Sequence, residues 1–214
     1  MKLFIGGLRV FITTKTNQPF EKEITMKLSI AKTTFRAFNV AVVAGFLSTA
    51  AYAENPMVGG AAMYESKNIV ENAVNSEDHT TLVAAVQAAG LVETLQSDGP
   101  FTVFAPVNAA FAALPEGTVE TLLMPENKAT LTKVLTSHVV AGKWSATNII
   151  SAAGKSSDGF YHFEAVSGDA LSAQVKNGKV YIFDESGNAS LVTIADVNQS
   201  NGVIHVVNRV LLPK

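Results

Sequence analysis

The chain has no cysteine in 214 residues. That excludes a disulfide framework, a thiolate metal site, a thiol nucleophile and lipid attachment through sulfur. Charge is also sparse: 16% of residues are charged against 48% hydrophobic, a balance that favours a packed core over disorder. Of 16 basic and 18 acidic residues, 7 and 2 precede Glu54, so the remainder carries 9 basic and 16 acidic residues, a net −7. Such an acidic domain repels nucleic acid phosphates and anionic headgroups, and no basic patch interleaved with aromatics interrupts it. There is no Gly-x-Ser-x-Gly elbow. Gly154-Lys155-Ser156 matches the end of a phosphate-binding loop, but Ile149 stands where its first glycine belongs. Asp184-Glu185-Ser186-Gly187-Asn188 lacks the spaced carboxylates of a calcium loop and reads as a solvated hairpin tip. No catalytic residue, metal or cofactor is expected.

Met26–Ala53 reads as a secretory signal peptide. Lys27, Lys32 and Arg36 make the positive start, Ala37–Leu47 is mostly apolar, and Ala51-Tyr52-Ala53 is a small-x-small cleavage site. The apolar run is too short to span a bilayer as a helix. Residues 1–25 precede this complete signal, so translation is expected to start at Met26 and export to remove everything before Glu54. Residues 54–67, with Gly59-Gly60 and no clear period, are predicted to be a loose N-terminal arm.

From Asn68 the chain alternates short helical faces with turns. Asn68 is predicted to cap the first helix and Asp78 the second, which Gly90 ends; Thr118 and Ser145 cap later ones. Leu131, Val134, Leu135 and His138 lie at i, i+3, i+4 and i+7, one buried face. From Phe160 the period becomes two, with strands over 161–166, 171–176, 179–184, 189–196 and 203–211. Asn177-Gly178 is a strong hairpin signal. Helices first and strands later give an α+β domain.

The organising stretch is Phe101-Thr102-Val103-Phe104-Ala105-Pro106-Val107-Asn108-Ala109-Ala110-Phe111. Phe101–Ala105 is an apolar, β-branched and aromatic strand that Pro106 stops, and Val107, Phe111 and Leu114 then fall at helical spacing. Phe101, Val103 and Phe104 are predicted to be largely buried. This run resembles the first signature motif of fasciclin (FAS1) domains. Asn201-Gly202-Val203-Ile204-His205-Val206-Val207-Asn208-Arg209-Val210-Leu211-Leu212-Pro213 resembles the second. Between them Ser137-His138-Val139-Val140 is similar to the Tyr-His motif, with Ser137 in place of tyrosine. The resemblance implies one FAS1 domain over residues 68–214, a wedge-shaped β-sandwich with a flanking layer of short helices. It makes Phe101, Thr102, Val103, Phe104, Ala105, Pro106, Asn108, Phe111, His138, Gly202, Ile204, His205, Val206, Leu211 and Pro213 structural motif residues.

None of the four histidines, His79, His138, His162 and His205, has a partner at metal-ligand spacing. His138 and His205 sit among apolar residues and are expected to be buried and hydrogen-bonded; His79 and His162 are expected to face solvent. Asn108 is expected to hydrogen-bond backbone at the strand-to-helix junction. In some FAS1 proteins an Asp-Ile pair and the Tyr-His region contact adhesion receptors. The matching positions here are Asp196-Val197 and Ser137-His138, each one residue off the pattern. The resemblance thus implies a non-catalytic secreted or periplasmic module for cell adhesion, its partner a cell-surface or matrix protein or glycan. The alternative is a soluble carrier of a lipophilic small molecule such as a carotenoid. An apolar groove favours the carrier, a flat polar face the adhesion module.

Overall fold

The computed structural model describes residues 55–214; the segment read as a signal peptide and the residues before it lie outside them. Strands β1 (Met57–Val58) and β2 (Ala61–Ala62) form a hairpin. Its turn, Gly59-Gly60, has φ of 55° and 77°, the positive values a tight two-residue turn needs. Val58 and Met63 are buried, and the Gly59 carbonyl accepts from Glu77 N at 3.0 Å. This corrects the expectation of a loose arm: its glycines shape a turn that clamps the segment to the domain.

Seven short helices follow: α1 (Ile69–Ala73), α2 (Thr80–Ala89), α3 (Val92–Gln96), α4 (Asn108–Ala112), α5 (Thr118–Leu123), α6 (Lys128–Thr136) and α7 (Ala146–Lys155). Asn68 caps α1 as its side chain suggested, in a reciprocal box with Glu71. Ser145 caps α7 through Asn148 N. Asp78 and Thr118 do not cap: Asp78 lies in a 3-10 turn, Glu77–His79, that runs into α2, and Gly117 precedes α5.

The main sheet has the order β4-β3-β9-β8-β7-β6-β5, with β3 at Phe101–Pro106, β4 at Val139–Ala141, β5 at Phe160–Glu164, β6 at Ala170–Lys176, β7 at Lys179–Phe183, β8 at Ala189–Gln199 and β9 at Gly202–Val207. The two strands carrying the signature motifs, β3 and β9, pair in parallel from Phe101↔Gly202 to Pro106↔Val207. They approach so closely at the first rung that a Cβ on Gly202 would stand 2.1 Å from the Phe101 carbonyl oxygen; only glycine fits there. The second motif leaves the sheet after Val207, earlier than the strand expected over 203–211.

Long strand β8 belongs to both halves of the sheet. Its N-terminal end pairs with β7, the rest with β9, and bulges between Val192 and Val197 bend it. The sheet therefore curls until its outer strands meet, with a bridge at Val140↔Ala165 and Val166 N donating to the Val139 carbonyl at 2.7 Å. This is the α+β FAS1 sandwich. One core lies between the sheet and α1–α6, with Leu82, Val86, Leu135 and Ile204; the other lies inside the curl under α7, with Phe104, Ile149, Phe163 and Ile182.

Candidate functional site

The motif residues form one connected set around β3 and β9. Val103, Phe104, Ala105, Pro106, Phe111, Ile204, Val206 and Leu211 are buried, while Phe101 and Pro213 are only half-buried. Phe101, expected to be largely buried, begins the strand with an intermediate exposure. Thr102 Oγ1 donates to the Gly142 carbonyl at 2.7 Å and accepts from Trp144 N at 2.9 Å, pinning the loop before α7.

His138 and His205 are buried and fully used. His138 Nδ1–H donates to the Val134 carbonyl at 2.7 Å, and Nε2 accepts from Leu211 N at 2.8 Å. His205 Nε2–H donates to the Trp144 carbonyl at 2.8 Å, and Nδ1 accepts from Asp196 N at 3.3 Å. Each ring thus holds one donor and one acceptor bond, which suits only the neutral imidazole. Burial lowers His138 to about 4, against smaller upward effects of the Val134 carbonyl and Asp184. Burial lowers His205 as well, opposed by Trp144 and Asp196.

The four residues matched to the adhesive pairs are not a surface patch. Ser137, His138 and Val197 are buried. Ser137 Oγ lies 2.7 Å from the Lys133 carbonyl and 2.8 Å from Asp169 Oδ2, in a pocket that Lys133 Nζ closes at 3.4 Å from Asp169 Oδ1. Burial raises the Asp169 pKa, but bonds from Ser167, Ser137 and Lys133 outweigh it and hold the carboxyl below its usual range. A partner docking on this domain meets Asp196 alone of the four.

Asp196 itself has structural work. It sits at φ 58° in the β8 bulge, and its Oδ1 accepts from Ala146 N at 2.7 Å, at the first turn of α7. A carboxylate there satisfies an orphan N–H and complements the helix dipole. Asp196→Ala is expected to lower stability by about 1–3 kcal/mol, from the lost cap and the left-handed backbone. Asp196→Asn, which keeps the oxygen and tolerates this φ, is expected to cost less than about 1 kcal/mol. Urea unfolding of the two variants checks this, and equal losses would refute it.

Two histidine expectations part company. His162 is exposed and lies 3.0 Å from Asp158 Oδ2, as a solvated side chain would. His79 is buried, 3% exposed, which corrects its solvent-facing assignment. The Ala105 backbone of β3 lies near its ring and Gly59 of the β1–β2 turn packs on the 3-10 turn that carries it, and neither is its sequence neighbour. Asp184 is also buried rather than at a solvated tip: its carboxylate accepts from Ser186 N, Asn188 N and Leu212 N, tying the hairpin to the C-terminal segment. Asn108 reaches beyond its own junction, accepting from Thr81 N at 3.0 Å and donating to the Glu77 carbonyl at 2.8 Å. Asn201 makes a similar tie that its sequence position did not disclose: its side chain accepts from Ile69 N and donates to the Leu95 and Ser97 carbonyls.

Two features remain open to a ligand. One is an apolar cavity of about 110 Å³ between the sheet and α1–α3, lined by Val58, Met63, Leu82, Val86, Ala105 and Ile204 among others. The other is the outer face of β5–β7. Phe160, His162, Gln174, Tyr181 and Phe183 share that face by register, all half-buried except exposed His162. Phe160 stands 5.6 Å from Phe183 and 6.3 Å from His162, ring centroid to centroid. Among the described residues no three His, Asp or Glu side chains gather as a metal-holding group, and no helix is long and apolar enough to cross a membrane.

A parallel β3–β9 centre, a curled sheet closed by β4 and β5, and a layer of short helices define the fasciclin class of β-sandwich. The chain belongs to the fasciclin domain family, whose model matches residues 77–213. It is 47% identical over 191 residues to Protein sll1483 of Synechocystis sp., covering 85% of this chain and 98% of that one. It is 30% identical over 207 residues to Immunogenic protein MPB70 of Mycobacterium bovis, covering 88% and 98%. A FAS1 domain pair from the insect cell adhesion molecule fasciclin I superposes with a TM-score of 0.61 at 16% identity, covering 68% of this chain. This chain spans about half of that structure, 51%.

Proposed function

We propose that this protein is a non-catalytic, extracytoplasmic fasciclin module that binds a cell-surface or matrix protein or glycan through the outer face of β5–β7. The observation that carries the reading is the aromatic row itself. Phe160, Tyr181 and Phe183 keep part of their rings in water on a strand face flanked by polar Ser172 and Gln174. Aromatic anchors within a polar surround are the common make-up of binding hot spots. The relationship to the FAS1 pair of an insect cell adhesion molecule, and the signal-like segment before Glu54, support the same reading.

Attachment of host cells to a surface coated with the mature protein tests it. Tyr181→Ser together with Phe183→Ser is expected to weaken retention about tenfold or more, with the unfolding midpoint little changed. Pretreating the cells with protease or glycosidase distinguishes protein from glycan partners. Unchanged attachment by a folded double variant would overturn the assignment of this face. The apolar cavity favours a second reading, carriage of a lipophilic small molecule. Its volume of about 110 Å³ accommodates a ring-sized group and not the whole length of a carotenoid.

A further inference from the structure

We propose that the cavity beneath α1–α3 is a binding site for a neutral, hydroxylated apolar molecule of about one aromatic ring, whose hydroxyl is held by His79 Nε2. The proposal rests on the carrier reading and names its ligand class. Three observations carry it.

The first is size and lining. An apolar cavity of about 150 Å³ stays dry and takes up benzene, so about 110 Å³ with walls of Val, Leu, Met and Ala side chains suits a compact ring-sized body. The second is a mouth. Val83, Leu91 and Val92 are half-buried and Gln87 and Thr94 exposed, all on the cavity wall, so the site opens to solvent between α2 and α3 past a polar rim. The third is an orphaned polar atom. Ser76 and His79 line the cavity and are buried. His79 Nδ1 is paired with Ser76 Oγ at 2.8 Å, while Nε2 has no hydrogen-bond partner; it is the one such buried side-chain atom among the described residues. The Ala105 carbonyl lies near the ring and raises its basicity, but without hydrogen-bonding geometry to Nε2. A buried polar group left unpaired loses its hydration without compensation, and native structures rarely carry that cost without a reason.

The hydroxyl follows from the tautomers. If Ser76 donates to Nδ1, Nε2 carries the proton and needs an acceptor; if Nδ1 donates to Ser76, Nε2 needs a donor. A hydroxyl serves either way. Burial holds the ring neutral by lowering its pKa, so a carboxylate ligand would gain no ion pair and would lose its hydration.

The test uses the mature protein with phenol and its isostere toluene as probes, titrated by calorimetry, together with the ¹⁵N chemical shift of His79 Nε2. Phenol is expected to bind with 1:1 stoichiometry and to move the Nε2 resonance. In His79→Phe, which keeps the bulk and removes the nitrogen, the ratio of phenol to toluene affinity is expected to fall about tenfold or more. Taking the ratio cancels the different hydration of the two probes. If His79→Phe does not fold, the wild-type Nε2 shift decides alone. Toluene binding with an unchanged ratio, or phenol binding without an Nε2 shift, would keep the carrier reading and overturn the assignment to His79. Binding of neither probe, with a bound water seen by NMR at His79 and not displaced, would overturn both.

Discussion

Replacing Phe104 with alanine is expected to lower the unfolding free energy by about 3–5 kcal/mol. Phe104 is fully buried, and it joins both halves of the molecule. Its ring meets Phe163 edge-on at 6.0 Å and stacks on His205 at 5.7 Å. Its backbone N–H donates to the His138 carbonyl at 2.9 Å. Truncation would leave a void between strands that pair on both sides, where the sheet cannot collapse to fill it. Phe104→Leu, which restores most of the volume, is expected to cost less than half as much. Urea unfolding with unchanged slope measures both, and a loss below about 1 kcal/mol for the alanine variant would show that the core is centred elsewhere.

Acidification from pH 7 to pH 4 is expected to remove about 3 kcal/mol through His138 alone. Its folded pKa is about 4 against 6.5 for the free side chain. The unfolded chain therefore takes up the proton first. The stability is fully present above about pH 6.5 and is lost as pH falls towards 4. The cause is geometric as well as dielectric: protonation would turn Nε2 into a second donor facing the Leu211 N–H, breaking a buried bond. Asp184 offsets part of the shift. His205 and His79 are lowered by burial too, so they steepen the slope in the same direction. Asp169, also lowered, loses its contribution as pH falls from the free-carboxylate value of 3.8 towards its lower folded pKa, so most of its effect lies below this window. Stability measured at several pH values in wild type and His138→Gln checks the assignment. The variant should start lower and lose less on acidification; an equal slope would refute it.

The parts of the fold legible in the sequence are those whose environment comes from neighbouring residues. Phe101–Ala105 read as a strand because its five residues are apolar or β-branched and a proline follows, and His138 and His205 read as buried because apolar residues surround each in sequence. Asn177-Gly178 gave its turn, with φ of 53° and 73°, for the same local reason. Whatever depends on a distant segment was hidden. His79 looks solvent-bound in a stretch with Glu77, Asp78 and Thr80, and is buried where its turn meets Gly59 of the first hairpin and Ala105 of β3. Asn201 ties α1 and α3 to a strand end about a hundred residues away, and no periodicity reports that. The cavity is assembled from helices, β3, β9 and the first hairpin, so it has no sequence signature of its own. The aromatic face was half legible: alternation placed His162, Tyr181 and Phe183 in strands and left Phe160 just outside one, and their common face follows from register.

The parallel pairing of β3 with β9 also sets the order in which the molecule is made. Phe101 and Gly202 are partners 101 positions apart along the chain, and β9 is the last strand among the described residues. Contacts of such long separation slow folding, because the loop must close before the contact is gained. On the ribosome, β3 waits beside an empty position until residues 202–207 have emerged, and neither core can be sealed before then. Up to that point the nascent chain stays open, the condition in which a polypeptide can still be threaded through a narrow pore.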